Sequence, residues 1–158
     1  MSGAAAGFGG SIAAPGPGLA RGYAEAATDT GHQGTPADAS WALNNPERQV
    51  NFGHRAVHSV TIAAKQIVQA FYGRMPEQSY FEGCSNGGRQ ALMEAQRYPT
   101  DFNGIIAGAP GLDWTGLMMA WNWNAQALKL APIPESKLPM IAAAVLEQCD
   151  AETASGMA

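Results

Sequence analysis

A serine set among closely spaced glycines, Gly83-Cys84-Ser85-Asn86-Gly87, is the residue group in this chain best suited to do chemistry. It fits the pattern G-x-S-x-G. Where such a turn joins a strand to a helix, the glycines let the backbone crowd the serine, and its hydroxyl stands exposed as a nucleophile. The amide of Asn86, at the helix start, then faces the point where an attacked carbonyl oxygen gains charge. The competing reading is a glycine-rich turn whose serine only caps the helix. The candidate bases are His32, His54 and His58. His32 lies near Asp29 in Thr28-Asp29-Thr30-Gly31-His32-Gln33-Gly34, a run of turn formers, where a histidine bonded to backbone is the better reading. Arg55 and His58 are spaced to share a helix face, where His58 and His54 read better as solvated or capping residues than as catalysts.

The flanks of Ser85 supply the elements that must position it. Tyr80-Phe81-Glu82 reads as the end of a strand. Arg89 to Tyr98 has amphipathic helical spacing, with Leu92, Met93 and Ala95 available for a buried face and Pro99 as its stop. Upstream, Val57, Val60, Ile62, Ala64, Ile67, Val68 and Phe71 recur at helical steps between Phe52 and Tyr72, and Gly73 suits the C-cap. Downstream, Phe102 to Pro110 holds a short apolar run bounded by Gly and Pro, the next strand. Leu19 to Ala26 is a further short strand candidate. Helices alternating with apolar strands in this way mark a parallel α/β sheet.

The two ends of the chain differ from this middle. Residues 3–18 are rich in Gly, Ala and Pro and read either as a flexible tail or as a loop whose bare amides approach a substrate oxygen. Phe8 and Ile12 give that loop something to bury. Beyond Pro110, Trp114, Leu117, Met118, Met119, Trp121 and Trp123 crowd together, followed by helical stretches through Leu130 and from Leu138 to Cys149. Such a cluster serves as core, or as a surface that stacks on a flat apolar ligand. The expected division is a core over 1–110 and the start of an inserted lid over 111–158.

Composition narrows the function classes. The 158 residues suggest one domain with a real core. A formal charge of −4 offers no basic surface, which argues against nucleic acid as the main partner. No apolar run reaches membrane-spanning length. Met1 to Ala6 shows no basic n-region and no apolar h-region, so no secretory signal is visible. Two cysteines, Cys84 and Cys149, permit at most one internal disulfide.

On these motifs the chain resembles the tannase and feruloyl esterase family of α/β-hydrolases, which includes mono(hydroxyethyl) terephthalate hydrolases. The matching segments are RGYAEAATDTGHQG, FGHRAVHSVTIAAKQIVQAFYG and YFEGCSNGGRQALMEAQRYPTDFNGIIAGAP, with a weak match at Cys149-Asp150. The resemblance implies an incomplete α/β-hydrolase fold with a parallel sheet, a nucleophile elbow and the start of a lid. It implies Ser85 as nucleophile, Asn86 as one oxyanion amide and Gly7 in GFGGSI as the other. It implies an aromatic ester as substrate, no required cofactor, and a secreted or periplasmic location. Cys84 matches a family cysteine that pairs with one beside the catalytic histidine; that partner is missing, so Cys84 is expected to be a free thiol. Cys149-Asp150 matches the opening of a family calcium loop with further aspartates, but Ala151-Glu152-Thr153-Ala154-Ser155-Gly156 follow here, which leaves the loop incomplete and Asp150 a weak calcium candidate.

The largest departure concerns the catalytic base. In this fold class the triad runs Ser, then Asp or Glu, then His along the chain. No histidine follows Ser85, and none of Glu94, Asp101, Asp113, Glu135, Glu147, Asp150 and Glu152 matches the family's triad aspartate. The expectation is an N-terminal part of a longer esterase, inactive alone. The alternatives are an acyltransferase or peptidase on the same fold, or a non-catalytic binding protein.

Overall fold

The computed structural model describes residues 7–12 and 16–155. The chain divides into two compact units, one ending at Trp114 and one beginning at Thr115. In chain order the first unit contains α1 (Pro17–Ala20), a 3-10 turn at Ser40–Ala42, α2 (Pro46–Val50) and a π-helical turn at Asn51–Arg55. These lead into α3 (Ala56–Tyr72), β1 (Tyr80–Cys84), α4 (Asn86–Arg97) and β2 (Gly104–Gly108). Next comes α5 (Trp114–Leu130), which lies almost wholly in the second unit with a 3-10 turn at Glu135–Lys137 and α6 (Leu138–Ser155). Among the described residues no helix is long and apolar enough to cross a membrane.

The first unit is a partial α/β fold built on one strand-helix-strand unit. β1 and β2 pair in parallel, from Tyr80 opposite Gly104 to Cys84 opposite Gly108, and α4 is the crossover between them. Along β1 the faces alternate: Phe81 and Gly83 are buried while Tyr80, Glu82 and Cys84 are exposed. Phe81 meets Val57 of α3 and Ala91 of α4, with Phe102, Ile105 and Ala107 packed against them. Burying a phenylalanine side chain of this kind stabilises a fold by about 1.5–3 kcal/mol. Two glycines make the packing of strand against helix possible. A Cβ on Gly83 would lie 2.2 Å from the Gly87 carbonyl oxygen, and one on Gly88 would lie 2.4 Å from that of Gly108. Backbone here touches backbone, and no side chain fits between.

Four expectations are corrected. The helix expected from Phe52 begins at Pro46, where Asn45 Oδ1 accepts from the Arg48 amide and proline occupies the first turn. The strand expected at Leu19 to Ala26 does not form. Instead the Gly18 carbonyl accepts from the amides of Arg21 and Tyr23, and Gly22 turns the chain at φ 83°. The buried face of α4 is polar rather than apolar: Asn86, Arg89, Gln90 and Glu94 are buried with Ala91, while Ala95 is exposed. The apolar stripe of α3 is only partly used, since Ile62, Ile67 and Phe71 stay exposed.

Candidate active site

Ser85 sits at the sharp junction between β1 and α4. Its backbone adopts φ 58° and ψ −119°, a left-handed-side conformation that costs a non-glycine residue about 1–3 kcal/mol. The junction is held from both sides: the Ser85 amide donates to the Gly108 carbonyl at 3.0 Å, and its own carbonyl accepts from the Arg89 amide at 3.1 Å. Ser85 therefore stands at the carboxyl edge of the parallel sheet, where α/β folds place their ligands. Its side chain makes no capping bond to α4 and is exposed. The serine-as-cap reading fails on that observation.

The described part of the N-terminal glycine segment, residues 7–12, is a tied loop rather than a free tail. Gly7 adopts φ 56°, and a Cβ there would lie 2.5 Å from the Pro36 carbonyl oxygen. The Phe8 amide donates to Pro36 at 2.9 Å, and Gly10 exchanges two 3.2 Å bonds with Gly34. The Phe8 carbonyl accepts from His32 Nε2 at 2.9 Å and from Trp41 Nε1 at 3.1 Å. His32 is buried and stacks on Trp41 with ring centroids 3.7 Å apart. The turn run around His32 is thus what holds the glycine loop.

Sequence reasoning missed the cluster that joins this loop to the junction. Phe8 contacts Phe52 and Trp114, at centroid distances of 6.1 and 5.6 Å. Arg89 lies over both rings, 4.6 Å from Phe52 and 5.6 Å from Trp114. Its Nε donates to Asn86 Oδ1 at 2.8 Å, and its Nη1 and Nη2 donate to the carbonyls of Gly53 and Phe52. Burial lowers the guanidinium to about 10, which leaves it charged at neutral pH. No spacing rule marks Arg89, since one arginine on a helix reads as solvated.

The remaining histidines are engaged elsewhere. His54 Nδ1 bonds the Tyr98 hydroxyl at 2.7 Å. Burial, and then the charges of Arg97, Arg55 and His58, hold His54 below the usual histidine range. His58 Nδ1 bonds Asp101 Oδ2 at 2.6 Å and the ring stacks on Tyr98. Lys65 donates to the Asp101 backbone carbonyl from the same helix. Glu94, wholly buried beside Asp101, has its carboxyl pushed up to about 8, first by burial and then by the Asp101 charge. Among the described residues no histidine bonds the Ser85 hydroxyl.

Two sites implied by resemblance are placed as follows. Cys84 is a free, exposed thiol, so the family disulfide is not formed at this position. Asp150 lies within the helix α6 rather than opening a loop, and among the described residues no three acidic, histidine or cysteine side chains gather as metal ligands. A cleft of about 920 Å³ runs along α3 and the outer faces of both strands, but Ser85 does not line it.

Comparison with known proteins decides the family: the profile described as tannase and feruloyl esterase matches residues 2–156. The chain belongs to that family. It is 44% identical to an uncharacterized esterase of Xanthomonas campestris over 88% of this chain and 25% of that protein. It is 37% identical to feruloyl esterase B of Aspergillus niger, over 82% of this chain and 25% of that one. A mono(2-hydroxyethyl) terephthalate hydrolase of Piscinibacter sakaiensis matches at 34% over 84% and 25%. The crystal structure of feruloyl esterase B from Aspergillus oryzae superposes with a TM-score of 0.65 at 34% identity, covering 73% of this chain and 23% of that one. The chain spans about a quarter of the length of the curated relatives it matches.

Proposed function

We propose that this chain is the nucleophile-bearing part of a serine carboxylic-ester hydrolase acting on aromatic acid esters, of the feruloyl or galloyl class. The observation that carries the reading is the strained, uncapped Ser85 at the carboxyl edge of the parallel strands. The names of its relatives support the substrate class. Ser85 Oγ attacks the ester carbonyl, and the Asn86 amide and the Gly7 amide donate to the oxyanion. The amides of Phe8 and Gly10 are already committed to Pro36 and Gly34, which takes those two out of the role. Collapse expels the alcohol and leaves an acyl-serine, which water then cleaves to the free acid.

The base comes from outside these residues. His32 is committed to Phe8, His54 to Tyr98 and His58 to Asp101. The triad histidine and acid belong to a longer polypeptide, and the 158-residue chain alone is inactive. The second unit, with Trp121 and Trp123 more than half exposed, is the beginning of a lid subdomain.

The test is hydrolysis of methyl ferulate and methyl gallate. The longer protein turns them over and loses that activity on Ser85→Ala; the chain alone does not turn them over. Turnover by the chain that vanishes in Ser85→Ala would make one of the three histidines the base. Turnover that survives Ser85→Ala would overturn the reading.

A further inference from the structure

Arg89 bonds one wall of the proposed oxyanion site and lies over two rings that contact the other. On one side its Nε fixes Asn86 through Oδ1 at 2.8 Å. The Asn86 side chain is buried, and its Nδ2 has no partner among the described residues, so Arg89 sets how that residue sits. On the other side the guanidinium lies over Phe52 and Trp114, and both rings contact Phe8 in the glycine loop. Its position is itself fixed by two carbonyls of the π-helical turn, Phe52 at 2.7 Å and Gly53 at 2.9 Å. Arg89 is 6% exposed, and among the described residues no carboxylate pairs with it. A buried charge without an ion-pair partner is costly for folding alone. A planar fork of donors that reaches three oxygens in two elements is what arginine offers and lysine does not.

We propose that Arg89 is a positioning residue for ester hydrolysis: it holds the Asn86 amide and the Phe8 loop in register, so that both oxyanion donors converge on one point. The proposal rests on the esterase reading above. It assigns Arg89 no contact with substrate. The fork geometry, more than the charge, carries the effect.

The test is steady-state kinetics of the longer protein on methyl ferulate, with Arg89→Met, Arg89→Lys, Asn86→Ala and the Arg89→Lys/Asn86→Ala double variant, each checked for fold by circular dichroism. Ser85→Ala is run beside them. Deleting an oxyanion donor outright costs about 100- to 1,000-fold in kcat, and a displaced donor is expected to cost about 10-fold or more. Arg89→Met and Arg89→Lys should both show that fall in kcat with KM changed by less than about twofold. The double variant should lose no more than the worse single one, because both changes cut the same link. Full activity in Arg89→Lys, a change confined to KM, or additive losses in the double variant would each overturn the proposal while leaving Ser85 as nucleophile. Activity in Ser85→Ala would overturn both. If the Arg89 variants do not fold, Asn86→Ala alone decides: it leaves the carbonyl bonds of Arg89 in place, and unchanged kcat would overturn the proposal.

Discussion

Two regions of the first unit are built from opposite materials. Around the junction of β1 and α4 there is close backbone contact and a buried polar row: Gly83 against Gly87, Gly88 against Gly108, and Asn86, Arg89, Gln90 and Glu94. Around the large cleft the surface is apolar and open, with Ile67, Phe71 and Tyr72 of α3 and Tyr80 and Ile106 of the strands exposed. A fold that followed burial alone would have the reverse. The difference teaches that the α4 side is shaped by a constraint other than stability. Polar groups are buried there at a cost, beside Ser85, whose strained backbone leaves it exposed.

Substitutions in the two regions should therefore differ widely in effect. Phe81→Ala removes the side chain on which the three elements meet, and should cost about 3–5 kcal/mol in thermal or denaturant unfolding. Gly83→Ala places a Cβ against the Gly87 carbonyl and should cost about 1–3 kcal/mol, since backbone must move to admit it. A small effect at either position would mean that the α4 side is loosely packed.

Glu94 gives the comparison a pH dependence. Its carboxyl is raised from the ordinary 4.5 to about 8 in the fold, so the folded chain keeps a proton that the unfolded chain releases. The stability this contributes is full below about pH 4.5, declines as pH rises through that window, and is gone above about 8. Glu94→Gln should flatten that decline. An unchanged slope would place the titrating group elsewhere. The smallest effect belongs to the open face: Ile67→Ser and Phe71→Ser should change stability by less than about 0.5 kcal/mol. They should nonetheless reduce binding of a hydrophobic dye, because they shrink an exposed apolar patch.

Much of the α4 side was legible in the sequence, for a reason that the corrections make clear. G-x-S-x-G announces its own geometry: glycines are needed where backbones collide, and Gly83 and Gly88 meet that need. The strand after Pro99 was legible because a short apolar run between glycines has few other uses. Arg89 and the buried row Asn86, Gln90 and Glu94 were not legible, because polar residues at helical spacing signal solvent unless something covers them. Nor was the role of His32, which depends on a carbonyl 24 residues away that no local pattern reveals. The start of α2 was available in Asn45-Pro46, a cap followed by proline, but the apolar run beginning at Phe52 drew the boundary too late.

The most direct measurement is covalent labelling with an aryl-ester-mimicking fluorophosphonate, followed by peptide mapping. In the longer protein the label should fall on Ser85, at the junction of β1 and α4, and vanish in Ser85→Ala. In the 158-residue chain, whose histidines bond Phe8, Tyr98 and Asp101, labelling should be slower by at least about 1,000-fold, the scale of losing a triad member. A label on any other residue of the longer protein, or equal labelling of Ser85→Ala, would contradict Ser85 as the nucleophile.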